Sequence, residues 1–287
     1  MRKIFPRFVI IFFLEVFWLS NAFSSEIKIV TWEDLSDRDI SPQGKAALSL
    51  NRDSWKHAET EHFVYHFADE KEADTVYTHA ELYYRWIKEM FGVEKDGWSK
   101  KGHVFIFEDE NTRKSFNHEN GEPLFAAEGF TSGWELFMHR GAFWLTPQEV
   151  LAHELTHIIV FRFLDGPIPL FLNEGFAVFM QYKAVSVQAD GNEFNLRILK
   201  LIPPAEYIPL KTLVGTRNYP AGQVEIFYQE SELFVRFLIQ TYGNKNFYSL
   251  LKKISGGASF EGVLKDIDGA ELSDLEEKFK SYALEKT

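Results

Sequence analysis

The stretch Leu145–Phe163, LTPQEVLAHELTHIIVFRF, constrains this chain more than any other. Thr146, Pro147 and Glu149 spell the start of a helix: a threonine N-cap, proline at the first helical position, and a glutamate that can reach back to the cap. From Leu151 to Phe161 the run is almost continuously apolar, so the helix belongs inside the protein. Yet it carries His153, Glu154 and His157. Three polar side chains on a buried helix are costly unless something satisfies them.

A divalent cation would do so. His153 and His157 are four residues apart on a helix, so both imidazoles leave the same face and can share one zinc ion at roughly 2.0–2.1 Å. Glu154 stands one residue round the helix. It is badly placed as a ligand but well placed to take a proton from a zinc-activated water and hand one to a departing amine. The competing reading is a pair of buried histidines satisfied by hydrogen bonds, with no metal. Catalytic zinc keeps one position open and needs a third protein ligand. The sequence has no cysteine, so that ligand is His, Asp or Glu. Metzincin spacing would put glycine and histidine where Val160 and Phe163 stand, which excludes that class. Glu174, in the apolar run LFLNEGFAVF, is the candidate. The turn at Asp165–Pro169 folds its helix back beside the first, and an isolated buried carboxylate would be expensive.

The remainder reads as an α+β chain: a small sheet-bearing part to about residue 145, then a helical part. Residues 1–24 carry a basic start, an apolar segment Phe8–Leu19 and small residues at Ala22 and Ser24, the pattern of a secretory signal peptide. An uncleaved N-terminal anchor is the alternative. Residues 25–60 read as an irregular lead-in, and residues 61–287 as the main domain. Glu61–Phe67 alternates as a strand, Glu70–Phe91 has helical spacing closed by Gly92, and His103–Phe107 is a second strand. Phe116–Gly133 reads as loop, and Glu135–Leu145 as a third strand. Later come a polar loop after Ala184, a helix closed by Gly243, and a last helix opened by a capping box from Ser273 to Glu276. His62 and His66 are four apart on a strand, where that spacing separates them by roughly 13 Å. They read as surface or structural, like the other histidines outside the helix.

Charge narrows the partners. The chain carries a net −11, and residues 1–22 hold three basic groups and one acidic, so their removal gives −13. Such a surface does not attract nucleic acid or anionic lipid. The membrane enters only through the N-terminal segment, and the destination is periplasmic or extracellular.

HELTH, a short Gly-Pro turn and PLFLNEGFA resemble the gluzincins, closest to the bacterial peptidase MA-like proteins and more distantly to aminopeptidase-N-like enzymes. The resemblance runs from about Glu61 to the C-terminus. It implies a zincin-like fold with the active-site helix between sheet and helical part. It also implies a zinc metallopeptidase acting on a peptide or protein, with one ion on His153, His157 and Glu174, and Glu154 as general base. Related enzymes use a tyrosine some tens of residues beyond the ligand glutamate as oxyanion donor. Tyr228 fits that place, with Tyr219 in reserve. An edge strand before the zinc helix, here Trp134–Trp144, would pair with substrate backbone, flanked by His139 and Arg140. Two departures stand out. No G-x-M-E-N segment precedes the helix, so aminopeptidase action is not implied. Val178 occupies the position where thermolysin-like enzymes place an acid that orients a zinc histidine. The alternative function is a zinc-stabilised envelope protein that binds a partner and hydrolyses nothing.

Overall fold

The computed structural model describes residues 27–284, apart from 51–53, 96–97, 108–109, 120–128, 140–144 and 191–201. The signal segment lies outside the described residues. Among them, one mixed sheet runs in the order β1-β2-β3-β4-β6-β5. Its strands are β1 (Ile29–Val30), β2 (Lys56–Glu59), β3 (Phe63–Phe67), β4 (Gly102–Phe107), β5 (Gly129–Ser132) and β6 (Glu135–His139). β3, β4 and β6 are parallel neighbours, and β2 and β5 flank them antiparallel. Every residue of the three parallel strands is buried. Parallel strands covered on both faces have no solvent side, so the alternation read in Glu61–Phe67 marks a strand without marking an exposed face.

The lead-in is not irregular. It supplies helix α1 (Pro42–Ser49) and strands β1 and β2, and β2 pairs with β3 from Lys56↔Phe67 to Glu59↔Val64. The sheet therefore begins before residue 61. Ser41 caps α1, and its backbone N–H and hydroxyl both donate to Glu135 at the start of β6. That contact spans most of the sheet-bearing part in sequence, which is why local pattern did not reveal it. On the same side, Phe105, Phe107, Phe116 and Phe137 form an aromatic cluster with Ala47 of α1.

Helix α2 (Glu70–Phe91) runs as its spacing predicts, from an Asp69 N-cap to Gly92 at φ 64°. Part of the expected Phe116–Gly133 loop is ordered structure: Phe116 belongs to α3 (Glu110–Glu119), and β5 starts at Gly129. The rest of that loop lies outside the described residues. Helix α4 (Pro147–Leu164) has both halves of the Thr146–Glu149 capping box and ends at Asp165 in left-handed geometry. Helix α5 (Leu170–Asp190) continues past Ala184, where a polar loop was expected. The later helices are α6 (Leu210–Gly215), α7 (Val224–Ser255), α8 (Phe260–Asp268) and α9 (Leu272–Leu284). Gly243, at φ 78° and ψ 160°, breaks α7 into two segments, so the expected helix end appears as a kink. The Ser273 capping box does not form. Glu276 instead accepts from Tyr207 Oη at 2.9 Å and from Leu210 N–H at 2.7 Å, satisfying the open start of α6.

Helix α4 touches α2, β5 and β6 on one side and α5 on the other, while α5 packs on α7. The expected α+β architecture is observed, with the helix of interest between sheet and helical part. No helix among the described residues is long and apolar enough to cross a membrane.

Candidate metal centre

Two glycines set how closely this layer is built. Gly175 follows Glu174 inside α5, and a β-carbon there would stand 2.3 Å from the backbone oxygen of Ser231 in α7. Only glycine lets the two helices meet backbone to backbone, which draws the start of α7, with Tyr228, towards Glu174. Gly129 does the same for β5: a β-carbon there would lie 2.9 Å from Val150 and 3.3 Å from Glu154. The sheet edge is thus laid against α4 beside Glu154. Glycine costs about 1 kcal/mol in a helix interior, so its place in LFLNEGFAVF was a legible sign of a close approach.

Glu174 is buried and turned towards α4. Its Oε2 lies 3.4 Å from His153 Nε2 and 3.8 Å from His157 Nε2. The ligand atoms of the three residues all fall within 4.8 Å of one another. These separations are long for hydrogen bonds. They suit a shared ion, since two ligands on a tetrahedral zinc at about 2.05 Å stand about 3.3 Å apart. Oε2 of Glu174 is buried without a hydrogen-bond partner, a position that a cation satisfies. The residues therefore fit a zinc ion. Nδ1 of His157 is also buried without a partner, so no side chain among the described residues orients that imidazole.

The electrostatics follow from burial and these neighbours. Burial pushes the Glu174 carboxyl up, but His153, His157 and Tyr219 outweigh it and hold it below the usual carboxylate range. Glu154, buried on the same helix, is pushed up to about 7 by burial, with Glu174 adding to the shift and His157 opposing it. A cation alongside would draw it back down. Such a group accepts and returns a proton near neutral pH.

Both tyrosines singled out in the sequence reach the centre. Tyr219 Oη donates to Glu174 Oε1 at 2.9 Å. Its ring stacks on Tyr228, with centroids 5.8 Å apart and 27° between planes. The Tyr228 ring is 6.2 Å from that of His153. Burial, followed by the charge of Glu174, pushes the Tyr228 phenol up to about 12, so it stays protonated and able to donate. Sequence pattern missed the direct bond from Tyr219 to Glu174, because a loop residue that far along the chain carries no periodicity.

The strand expectation needs correcting. β6 lies between β4 and β5, so the segment from Trp134 onwards is not the edge; β5 is the terminal strand. The turn Gly133–Trp134 folds β6 inward behind β5, which sequence order alone does not disclose. His139 is buried at the end of β6 rather than on a cleft face, and Arg140 lies outside the described residues.

Residues 143–285, which hold every side chain of the centre, match the family model described as Peptidase MA superfamily. None of the curated proteins compared with the chain matches it. Among solved structures, the M1 zinc metallopeptidase of Deinococcus radiodurans is similar at 14% identity and a TM-score of 0.41. Structures of its glutamate-to-alanine mutant, alone and bound to a Tyr-Ser-Ala substrate, give TM-scores of 0.43 and 0.40 at the same identity. Each alignment covers 78% of this chain and 48% of the other, so the chain spans about half the length of these structures.

Proposed function

We propose, since residues 143–285 match the Peptidase MA superfamily model, that this chain is an exported zinc-dependent metallopeptidase that hydrolyses peptide bonds. The single observation that carries the reading is the unpartnered Oε2 of buried Glu174, facing the Nε2 atoms of His153 and His157. Those three residues would hold the ion. When bound, zinc lowers the pKa of a water and polarises a carbonyl.

The chain's own residues do the rest. Glu154 takes the proton of the attacking water and passes it to the amine nitrogen as the peptide bond breaks. Tyr228, kept protonated, donates to the oxygen that gains charge during attack. The substrate backbone pairs along β5, whose Gly129 lies against Glu154. Export is supported by the basic and apolar pattern of residues 1–24 and small residues at Ala22 and Ser24.

The test is Glu154→Gln. It should lower cleavage of a mixed peptide library by about 10²-fold or more, while zinc content stays at that of the parent protein. Cleavage by the parent should vanish with a chelator. Full activity in the variant would remove Glu154 from the mechanism. Zinc without chelator-sensitive cleavage would favour a binding protein instead.

A further inference from the structure

Each half of the Glu174 carboxylate has a different environment. Oε2 faces the two imidazoles and has no hydrogen bond, whereas Oε1 accepts the Tyr219 hydroxyl at 2.9 Å. The Tyr228 hydroxyl also interacts with Glu174, but the hydrogen bond on Oε1 comes from Tyr219. A glutamate side chain has a broad terminal torsion, so nothing intrinsic stops its two oxygens from rotating or from turning together towards an ion. A fixed donor on one oxygen removes that freedom.

Tyr219 is a well-supported donor despite its place in the loop between α6 and α7. Its ring stacks on Tyr228 and meets Phe227 edge-on at 6.4 Å, so two aromatic residues near the start of α7 brace it. Its outer side is open, with half its surface exposed. A tyrosine that served only the core would be buried. This one spends its hydroxyl on the one carboxylate that the centre shares between its helices.

We propose that Tyr219 is a positioning residue for the metal: it pins Oε1 so that Glu174 presents Oε2 alone to the ion. This rests on the metallopeptidase reading. It divides the work of the stacked pair, with Tyr219 acting on the ligand and Tyr228 on the reacting oxygen. Tyr219 itself touches neither ion nor substrate in this role. Hydrogen bonds of this kind to metal ligands typically change affinity by about 10–100-fold.

The experiment compares zinc dissociation constants of the parent, Tyr219→Phe and Tyr228→Phe, by competition with a chromophoric chelator. Unfolding of each zinc-free protein is followed in parallel. Tyr219→Phe should weaken zinc by about 10–100-fold with the zinc-free unfolding midpoint unchanged, because the hydroxyl is lost and the ring stays. Tyr228→Phe should keep zinc affinity within a few-fold of the parent. Parent-like affinity in Tyr219→Phe overturns the assignment. So does an equal loss in both variants, or a loss matched by a fall in zinc-free stability. A parent protein that binds no zinc overturns the metallopeptidase reading, and the assignment falls with it.

Discussion

At the centre formed by His153, His157 and Glu174, donor atoms face one another across 3.4 and 3.8 Å. In the sheet, His57, His66 and His103 meet nitrogen to nitrogen at 2.8 and 3.0 Å. Both groups are held in the interior, and both put imidazoles within reach of a carboxylate. Only the first converges. Residues four apart on a helix aim their side chains at a common point, whereas residues on adjacent strands stand in a row. His57, His66 and His103 come from β2, β3 and β4, and the His66 and His103 rings lie nearly parallel, 8° apart.

The row spends its contacts inward, with both nitrogens of His66 hydrogen-bonded to its neighbours, while His103 Nε2 is buried without a hydrogen bond. His103 Nε2 lies 3.8 Å from Asp37. The tautomer that turns its N–H that way leaves Nδ1 to accept from His66 Nε2–H. His66 Nδ1 then accepts from His57 Nδ1–H. Both nitrogens of His66 are used, so the middle ring of the row has no lone pair left for an ion. In this arrangement a second proton on His66 or His103 would set N–H against N–H. Burial agrees: it lowers His103 to about 4 against the pull of Asp37, drives His66 far below the ordinary imidazole range, and lowers His57. Proximity of histidines is therefore a poor guide to a metal. A buried carboxylate oxygen without a partner that faces two imidazoles is a better one.

Three outcomes would break or sharpen this contrast. The largest concerns zinc itself. His157→Ala should abolish tight zinc binding, read as metal content after dialysis, while His66→Phe should leave it at the parent level. Loss of zinc in His66→Phe would mean that the row also serves the ion. Next comes stability. His66→Phe leaves His57 and His103 without their buried partner, which should cost about 1–3 kcal/mol by urea unfolding. A neutral result would show that ring packing, not the hydrogen-bonded row, holds these strands.

The smallest effect is the pH dependence of that same cost. The folded-state pKa values of the row lie below the ordinary 6.5, so the unfolded chain binds more protons. The stability from the neutral row is fully present above about pH 6.5 and is lost as pH falls towards about 4. Each proton contributes a slope of at most about 1.4 kcal/mol per pH unit. With zinc absent from both proteins, the parent should lose more stability than His66→Phe between pH 7 and 5. Parallel curves would contradict a neutral row.

How much could be read beforehand depended on the range of the interaction involved. Helix α4 was legible because its cap, its apolar stripe and its histidine spacing all lie within one stretch. Glu174 was legible as a charge in an apolar run next to a short turn. β1 and β2 were not, because their pairing partners and the Glu135 that anchors Ser41 lie far along the chain. The Ser273 capping box failed for a related reason: Glu276 had a better use at the start of α6. Its local pattern was sound, but a tertiary acceptor role outweighed it.

The residue types and spacings determined by themselves that one buried helix would present two imidazoles and a carboxyl, and that a second acid lay one turn of chain away. Tertiary structure alone decided that Tyr219 grips one oxygen of Glu174, that β5 rather than β6 is the terminal strand among the described residues, and that three further histidines form a row. Helical spacing is written into the chain residue by residue. Contacts between strands and loops exist only once distant segments have packed, and sequence order does not encode which of them will meet.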